Sequence, residues 1–133
     1  MIFSIFNAMF LVAFVLSAMV QYNDPDPLAW IVIYLCAAAM CVLLIRKQYF
    51  TWLPPMLLLA SLSWVLVLLP SIVGQVSVAE VVESITMKTR EVEEAREVGG
   101  LLLVSLWASI VMIRRYNSRS ALRAVNSAGG KKY

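Results

Sequence analysis

The stretch that decides the fold runs from residue 28 to residue 47 and reads LAWIVIYLCAAAMCVLLIRK. It carries no charge until two basic residues, Arg46 and Lys47, end the run. A helix needs about 20 mostly apolar residues to cross the hydrocarbon core of a bilayer. The stretch therefore predicts a membrane-spanning helix that ends at the level of the lipid headgroups.

Comparable apolar runs lie on either side of this stretch. Together they predict four spans at about residues 3–20, 28–45, 53–73 and 97–113, followed by a basic tail over residues 114–133. The composition agrees, because 62% of the 133 residues are hydrophobic and 14% are charged, against about 45–50% and about 25% in soluble domains. We expect an all-α integral membrane four-helix bundle, with the lipid bilayer as its first partner.

Prolines and a capping pattern mark the breaks between the spans. Pro25 and Pro27 alternate with aspartates after the first span, and a helix cannot continue through such a turn. After the third span, Ser77 and Glu80 are spaced as in a capping box. Valine and isoleucine then recur at three- and four-residue intervals, so residues 77–92 are predicted to form a short amphipathic helix on the membrane surface.

The first span has some features of a secretory leader. However, no Lys or Arg stands at its start and no clean A-x-A cleavage site follows it, so we interpret it as a retained spanning helix. Cys36 and Cys41 lie about 140° apart around a helix, so they do not share a face and predict neither a redox pair nor a zinc site. The chain also has no His, the commonest metal ligand.

The charges are sorted between the two ends of the predicted spans. Eight Lys and Arg residues fall on the side of the N-terminus and tail, and three fall on the opposite side. The positive-inside rule then predicts that both termini are cytoplasmic, in the inner or plasma membrane. Nucleic-acid binding is excluded, because the bases lie at span ends rather than along one soluble face. All the acids fall on the outer side: Asp24, Asp26, Glu80, Glu83, Glu91, Glu93, Glu94 and Glu97.

Two polar clusters therefore share the predicted outer face. The first contains Asn23, Asp24 and Asp26, and Trp30 and Tyr34 follow it one turn apart on the second span. We expect the two aromatic rings to form an apolar wall beside the aspartates.

The second cluster opens the fourth span and contains Glu93, Glu94, Arg96 and Glu97. Residues three or four apart on a helix share a face, so Glu94 and Glu97 are expected to lie together. Arg96 is the natural counter-charge for the two aspartates of the first cluster. The small residues that follow would let a neighbouring helix approach closely.

Both clusters carry a resemblance to a known family. Residues 20–27, VQYNDPDP, with Trp30 and Tyr34, and residues 93–101, EEAREVGGL, resemble the transmembrane protein 220 family. The resemblance extends from Asn7 in the first span to Trp107 in the fourth. It implies a small polytopic membrane protein and marks the two clusters, and it implies no particular reaction. Some relatives continue beyond a fourth span, whereas this sequence ends soon after it.

The residues leave several roles open for these clusters. The simplest is an Asx-type turn at Asn23 with an ion-pair network among the glutamates and Arg96. A second is a set of carboxylate ligands for a hard divalent cation such as Ca²⁺; the sequence requires no cofactor. A third is a pocket for a small ligand or lipid headgroup, with Arg96 binding a phosphate or carboxylate.

We favour a non-enzymatic membrane protein with an outward-facing polar site for an ion, a small ligand or a lipid headgroup. The alternatives are a structural accessory subunit of a larger membrane complex, with other subunits or further copies of the chain as partners, and a membrane enzyme acting on lipid. No catalytic residue is predicted, because no Ser, Cys or His nucleophile stands beside the carboxylates. The expected site residues are Asn23, Asp24, Asp26, Trp30, Tyr34, Glu94, Arg96 and Glu97.

Overall fold

The structure, a computed structural model, describes residues 1–23, 27–73 and 90–129. A 3₁₀ turn, Gln21–Asn23, closes the first helix. The described part of the chain is otherwise built from four long helices and the turns at their ends. These are α1 (Ile2–Val20), α2 (Pro27–Ile45), α3 (Leu53–Ile72) and α4 (Arg90–Gly129).

Proline positions account for several helix boundaries. Pro27 is the first residue of α2, and Pro54 and Pro55 lie in the first turn of α3. Proline is tolerated there because the first N–H groups of a helix have no partner within the helix. Pro70 lies inside α3, which ends two residues later at Ile72.

The end of α2 is closed by hydrogen bonds that fold the chain back on the last turn. Lys47 has a φ of 56°, in the left-handed region. Its N–H donates to the carbonyl of Leu44 at 3.2 Å, and the N–H of Gln48 donates to that of Leu43 at 2.9 Å. This is a Schellman motif, whose left-handed position is usually occupied by glycine.

The helices have the length and hydropathy of membrane spans. Four of them contain an apolar stretch of 18 residues or more. Only 17% of the α1 span and 39% of the α2 span is buried within the protein. A soluble protein rarely exposes large contiguous apolar surfaces, so the outer faces of these helices are suited to lipid.

The bundle is organised as two closely packed pairs, α1 with α2 and α3 with α4, and α2 makes smaller contacts with α3 and α4. The buried indole of Trp107 on α4 joins the pairs. It stacks on Phe10 of α1 with ring centroids 4.4 Å apart and on Phe3 at 5.3 Å. Ala37 and Cys41 are fully buried on α2, and such small residues let helix backbones approach closely.

Contacts at one end of the bundle bring together the start of α1, the α2–α3 connector and the lower part of α4. The Arg114 guanidinium lies over the Phe3 ring at 3.9 Å. Arg115 donates hydrogen bonds to the carbonyl of Phe50 and to Oγ1 of Thr51, both at 3.3 Å. We call this end, which also carries the connector residues Arg46 and Lys47, the basic end.

The prediction of an all-α four-helix membrane bundle is confirmed. The predicted amphipathic helix over residues 77–92 lies almost wholly outside the described residues, and only its last three belong to α4. Helix α4 runs without a break past residue 113 to Gly129. The division into a spanning domain over 1–113 and a cytoplasmic tail over 114–133 therefore stays a prediction.

Candidate functional site

Two of the predicted site residues, Trp30 and Tyr34, are buried on α2, at 3% and 5% exposure. Trp30 stacks on Trp64 of α3, with ring centroids 4.4 Å apart and an interplanar angle of 28°. Tyr34 lies one turn further along α2, and its ring centroid is 6.4 Å from that of Trp30. The predicted apolar wall is thus part of the packing between helices.

Tyr34 also fixes the position of α4. A Cβ atom added to Gly100 would overlap the Tyr34 hydroxyl and come within 3.0 Å of its Cζ. By contrast, a Cβ at Gly99 would meet nothing within 4 Å. The absence of a side chain at residue 100 is therefore what lets the tyrosine ring lie against the α4 backbone.

The relative height of α2 and α4 follows from this contact. Seven residues further along both helices, the side chains of Cys41 and Trp107 are also neighbours. The two helices therefore run side by side in the same direction. The rise is about 1.5 Å per residue, so Glu94 lies about 9 Å from Gly100 toward the start of α4. Pro27 lies about 10 Å from Tyr34 toward the start of α2, in the same direction. The start of α2 and the Glu94 segment are at the same end of the bundle, which we call the acidic end.

The two glutamates lie on the interior seam of α4. Residues facing the interior repeat in sevens, as at the a and d positions of a heptad. Glu94 and Glu97 continue that repeat by one heptad, about two turns, toward the start of α4. Glu94 is only 9% exposed, and Glu97 is half-buried. Below them the buried seam residues are Leu101, Val104, Ala108 and Val111.

Arg96 has a different orientation from the two glutamates. It is exposed, and it lies about 200° around the helix from Glu94 and about 100° from Glu97. The structure therefore brings Glu94 and Glu97 together on the seam and leaves Arg96 off it.

The remaining members of the first cluster are less fully described. Asp24 and Asp26 lie outside the described residues, and for Asn23 only the backbone, in the 3₁₀ turn, is described. Asp26 directly precedes Pro27 in the chain. Within the described ranges, no three Cys, Asp or Glu side chains form a metal-binding group. A metal site at the acidic end would thus need ligands besides Glu94 and Glu97.

Two polar contacts deeper in the bundle were not predicted from the sequence. The hydroxyls of Ser61 and Ser105 are 2.7 Å apart and join α3 to α4. Asn7 donates from Nδ2 to the carbonyl of Cys41 at 3.0 Å and joins α1 to α2. The signal was available in the sequence, since these are isolated polar residues within otherwise apolar spans. Their partners depended on the packing.

Comparison with known proteins agrees with this architecture. The family model described as "Transmembrane family 220, helix" matches residues 13–113, a range that includes both polar clusters. The chain belongs to this family. It is 34% identical over 113 residues to Transmembrane protein 220 of Xenopus laevis, covering 84% of this chain.

The transmembrane family 220 relative is longer than the chain described above. The match covers 58% of the Xenopus laevis protein. No solved structure matches the chain. Membership of the family therefore supports a small multi-pass membrane protein.

Proposed function

We propose that this protein binds a small cation, either a metal ion or the ammonium group of a small ligand or lipid headgroup, at the acidic end of its bundle. The observation that carries the proposal is the position of Glu94 and Glu97 on the interior seam of α4. Glu94 is buried and Glu97 is half-buried, near the height at which α2 begins.

The charge balance favours a cation over an anion. Asp24 and Asp26 directly precede α2 in the sequence, and we propose that they contribute to the same site as the two glutamates, with Arg96 as a counter-charge. The predicted outer side carries eight acids against three bases, Lys88, Arg90 and Arg96, so its net charge is negative. Hard cations prefer oxygen ligands. We propose that Arg96 pairs with the aspartates at the rim and that Asn23 supplies a further oxygen.

The aromatic residues below the carboxylates support the same proposal. Trp30 and Tyr34 are packed against α3 and α4, so they form a rigid apolar floor. Such a floor keeps water from entering the membrane core beneath the site.

We further propose that the site faces outward. The positive-inside rule puts the basic end, and with it both termini, in the cytoplasm of a cell whose plasma or inner membrane holds the protein. The acidic end would then meet the external medium, where its ligand would be found.

Terbium luminescence tests the proposal directly, because Tb³⁺ replaces Ca²⁺ at oxygen sites and is excited through nearby indoles. We expect Tb³⁺ emission on excitation of the purified protein, competed by Ca²⁺ and reduced at least tenfold by Glu94→Gln or Glu97→Gln. Glu80→Gln is the control, since it removes one outer acid from another segment. An equal loss of Tb³⁺ emission in all three variants would mean that Tb³⁺ binds only to diffuse surface charge. Displacement of Tb³⁺ by choline and not by Ca²⁺ would identify an ammonium group as the ligand.

The accessory-subunit alternative makes a different prediction for the same variants. An accessory subunit needs its lipid-facing surfaces for assembly, so Glu94→Gln would leave the mass of a mildly solubilised complex unchanged. Loss of Tb³⁺ binding without a change in mass would favour the site. Loss of a larger complex without any cation binding would favour the accessory role.

A further inference from the structure

A groove opens between α2 and α3 where these two helices pack less closely than their neighbours. Its volume is about 550 Å³, within the roughly 300–1,000 Å³ usual for ligand pockets. It is lined by residues of α2 between Leu28 and Cys36, by residues of α3 between Leu53 and Trp64, and by Trp52. We call it the α2–α3 groove. Its lining is almost wholly apolar.

The groove is somewhat longer than one leaflet. On α3 its lining extends from Leu53 to Trp64, which corresponds to about 16 Å of helix rise. On α2 its lining reaches Leu28, in the first turn of the helix, about 3 Å of helix rise beyond Trp30. Half of the roughly 30 Å hydrocarbon core is about 15 Å. The groove therefore starts beside Trp52, next to the connector, and continues past the stacked pair of Trp30 and Trp64. An acyl chain entering from the headgroup level at the basic end would lie along it.

The charges at the entrance are of one sign. Arg46 and Lys47 are exposed on the connector that leads to Trp52. The sequence has no Asp or Glu in residues 27–79 or 98–133. Neither the connector nor the two helices that form the groove therefore carries an acid, and an anion from outside the chain is the natural complement to these two cations.

The backbone conformation at Lys47 also supports a role for this residue in binding an anion. Its left-handed conformation is unfavourable for a residue with a side chain, whereas glycine would adopt it freely. A lysine is nevertheless placed there, between Arg46 and the aromatic connector. A conformational outlier of this kind is a reason to look for a function of the side chain.

We propose that an anionic glycerophospholipid binds at the basic end, with one acyl chain in the α2–α3 groove and its phosphate at Arg46 and Lys47. The phosphate would lie at the opposite end of the bundle from the cation site, and Trp30 lies between the two sites. The groove supplies affinity for the chain, and the two cations supply the preference for a negatively charged headgroup.

Native mass spectrometry of the delipidated full-length protein tests this with phosphatidylglycerol and phosphatidylcholine as probes. We expect one phosphatidylglycerol to be retained preferentially. Lys47→Gly, which keeps the turn, should weaken its retention about fivefold, the effect of one cation near an anionic lipid. Arg119→Gln, an equal loss of charge elsewhere on α4, should leave retention unchanged.

A second variant tests the groove itself. Ala60→Trp fills the α2–α3 groove from an exposed position of α3 and should lower retention of both lipids, while Val67→Trp, on an exposed position outside the lining, should not. If Ala60→Trp does not fold, the unsubstituted protein can be tested by quenching of its tryptophan fluorescence with phosphatidylglycerol that carries a brominated acyl chain. It should exceed quenching by the matching phosphatidylcholine.

Three outcomes would overturn the proposal. The first is equal retention, or equal quenching, by the two lipids. The second is retention that responds to Arg119→Gln as strongly as to Lys47→Gly. The third is a dimer that binds no lipid and is broken by Ala60→Trp, because the groove would then hold a second copy of the chain.

Discussion

Gly100 and Gly99 form a natural matched pair for testing how α2 and α4 pack. Both lie in the same turn of α4, but a methyl group at residue 100 would overlap the Tyr34 hydroxyl, whereas one at residue 99 would meet open space. We therefore expect Gly100→Ala and Gly99→Ala to change the free energy of unfolding in opposite directions.

The magnitude follows from two opposing effects. Alanine is favoured over glycine within a helix by about 0.8–1.0 kcal/mol, so Gly99→Ala should stabilise the protein by up to about 1 kcal/mol. At residue 100 the same gain is offset by overpacking, which costs typically about 1–3 kcal/mol. The two variants should therefore differ in unfolding free energy by about 1–3 kcal/mol, with Gly100→Ala the less stable.

The assay is unfolding by dodecyl sulfate in mixed micelles, followed by circular dichroism. Tyr34→Phe removes the hydroxyl nearest to the added methyl and should partly rescue Gly100→Ala, so a double-mutant cycle should give a coupling of about 0.5–3 kcal/mol. The reasoning would be refuted by equal stabilities of the two alanine variants, or by the absence of coupling between residues 34 and 100.

Other contacts give predictions of similar kind for the same assay. A double-mutant cycle of Ser61→Ala and Ser105→Ala should show a coupling of about 0.6 kcal/mol, the average for hydrogen bonds between membrane helices; additive effects would mean that the 2.7 Å contact contributes no stability. Trp30→Ala should destabilise by about 3–5 kcal/mol because the indole is buried, while Trp52→Ala, at an exposed position, should stay within about 0.5 kcal/mol. Similar losses of unfolding free energy in the two variants would contradict the burial of Trp30 and the exposure of Trp52. Arg115→Gln should make the connector more susceptible to proteolysis, and unchanged cleavage would show that its hydrogen bonds to Phe50 and Thr51 do not fasten it.

The helices themselves could be predicted from the sequence because their ends are marked. The charge-free run of α2 ends at Arg46, and prolines stand at the starts of α2 and α3. Length and hydropathy then determine that each run spans the membrane. These signals are local in the chain, so they need no knowledge of packing.

The packing could not be predicted in the same way. A span that is apolar on every side has no polar face to show which residues point inward. The sequence therefore indicated Trp30 and Tyr34 as a wall beside the site, and the structure buries them between helices. The joints at Ser61 and at Asn7 depend on helix tilt and rotation, which arise from the contacts between neighbouring helices.

The candidate site contains one feature that could be predicted from the sequence and one that could not. The position of Glu94 and Glu97 on one side of a helix follows from their spacing of three residues, and both lie in α4. The orientation of Arg96 away from that seam depends on which face of α4 contacts the bundle, and the burial pattern along α4 shows that face.

Labelling from one side of the membrane tests most directly whether both polar clusters lie at one surface. Single cysteines would replace Asp24, Arg96 or Lys47 in a chain carrying Cys36→Ala and Cys41→Ala, and sealed vesicles of known orientation would be treated with an impermeant maleimide. Cysteines at residues 24 and 96 should react from the same side, and the cysteine at residue 47 only from the other. Reaction of residues 24 and 96 from opposite sides would contradict a shared site.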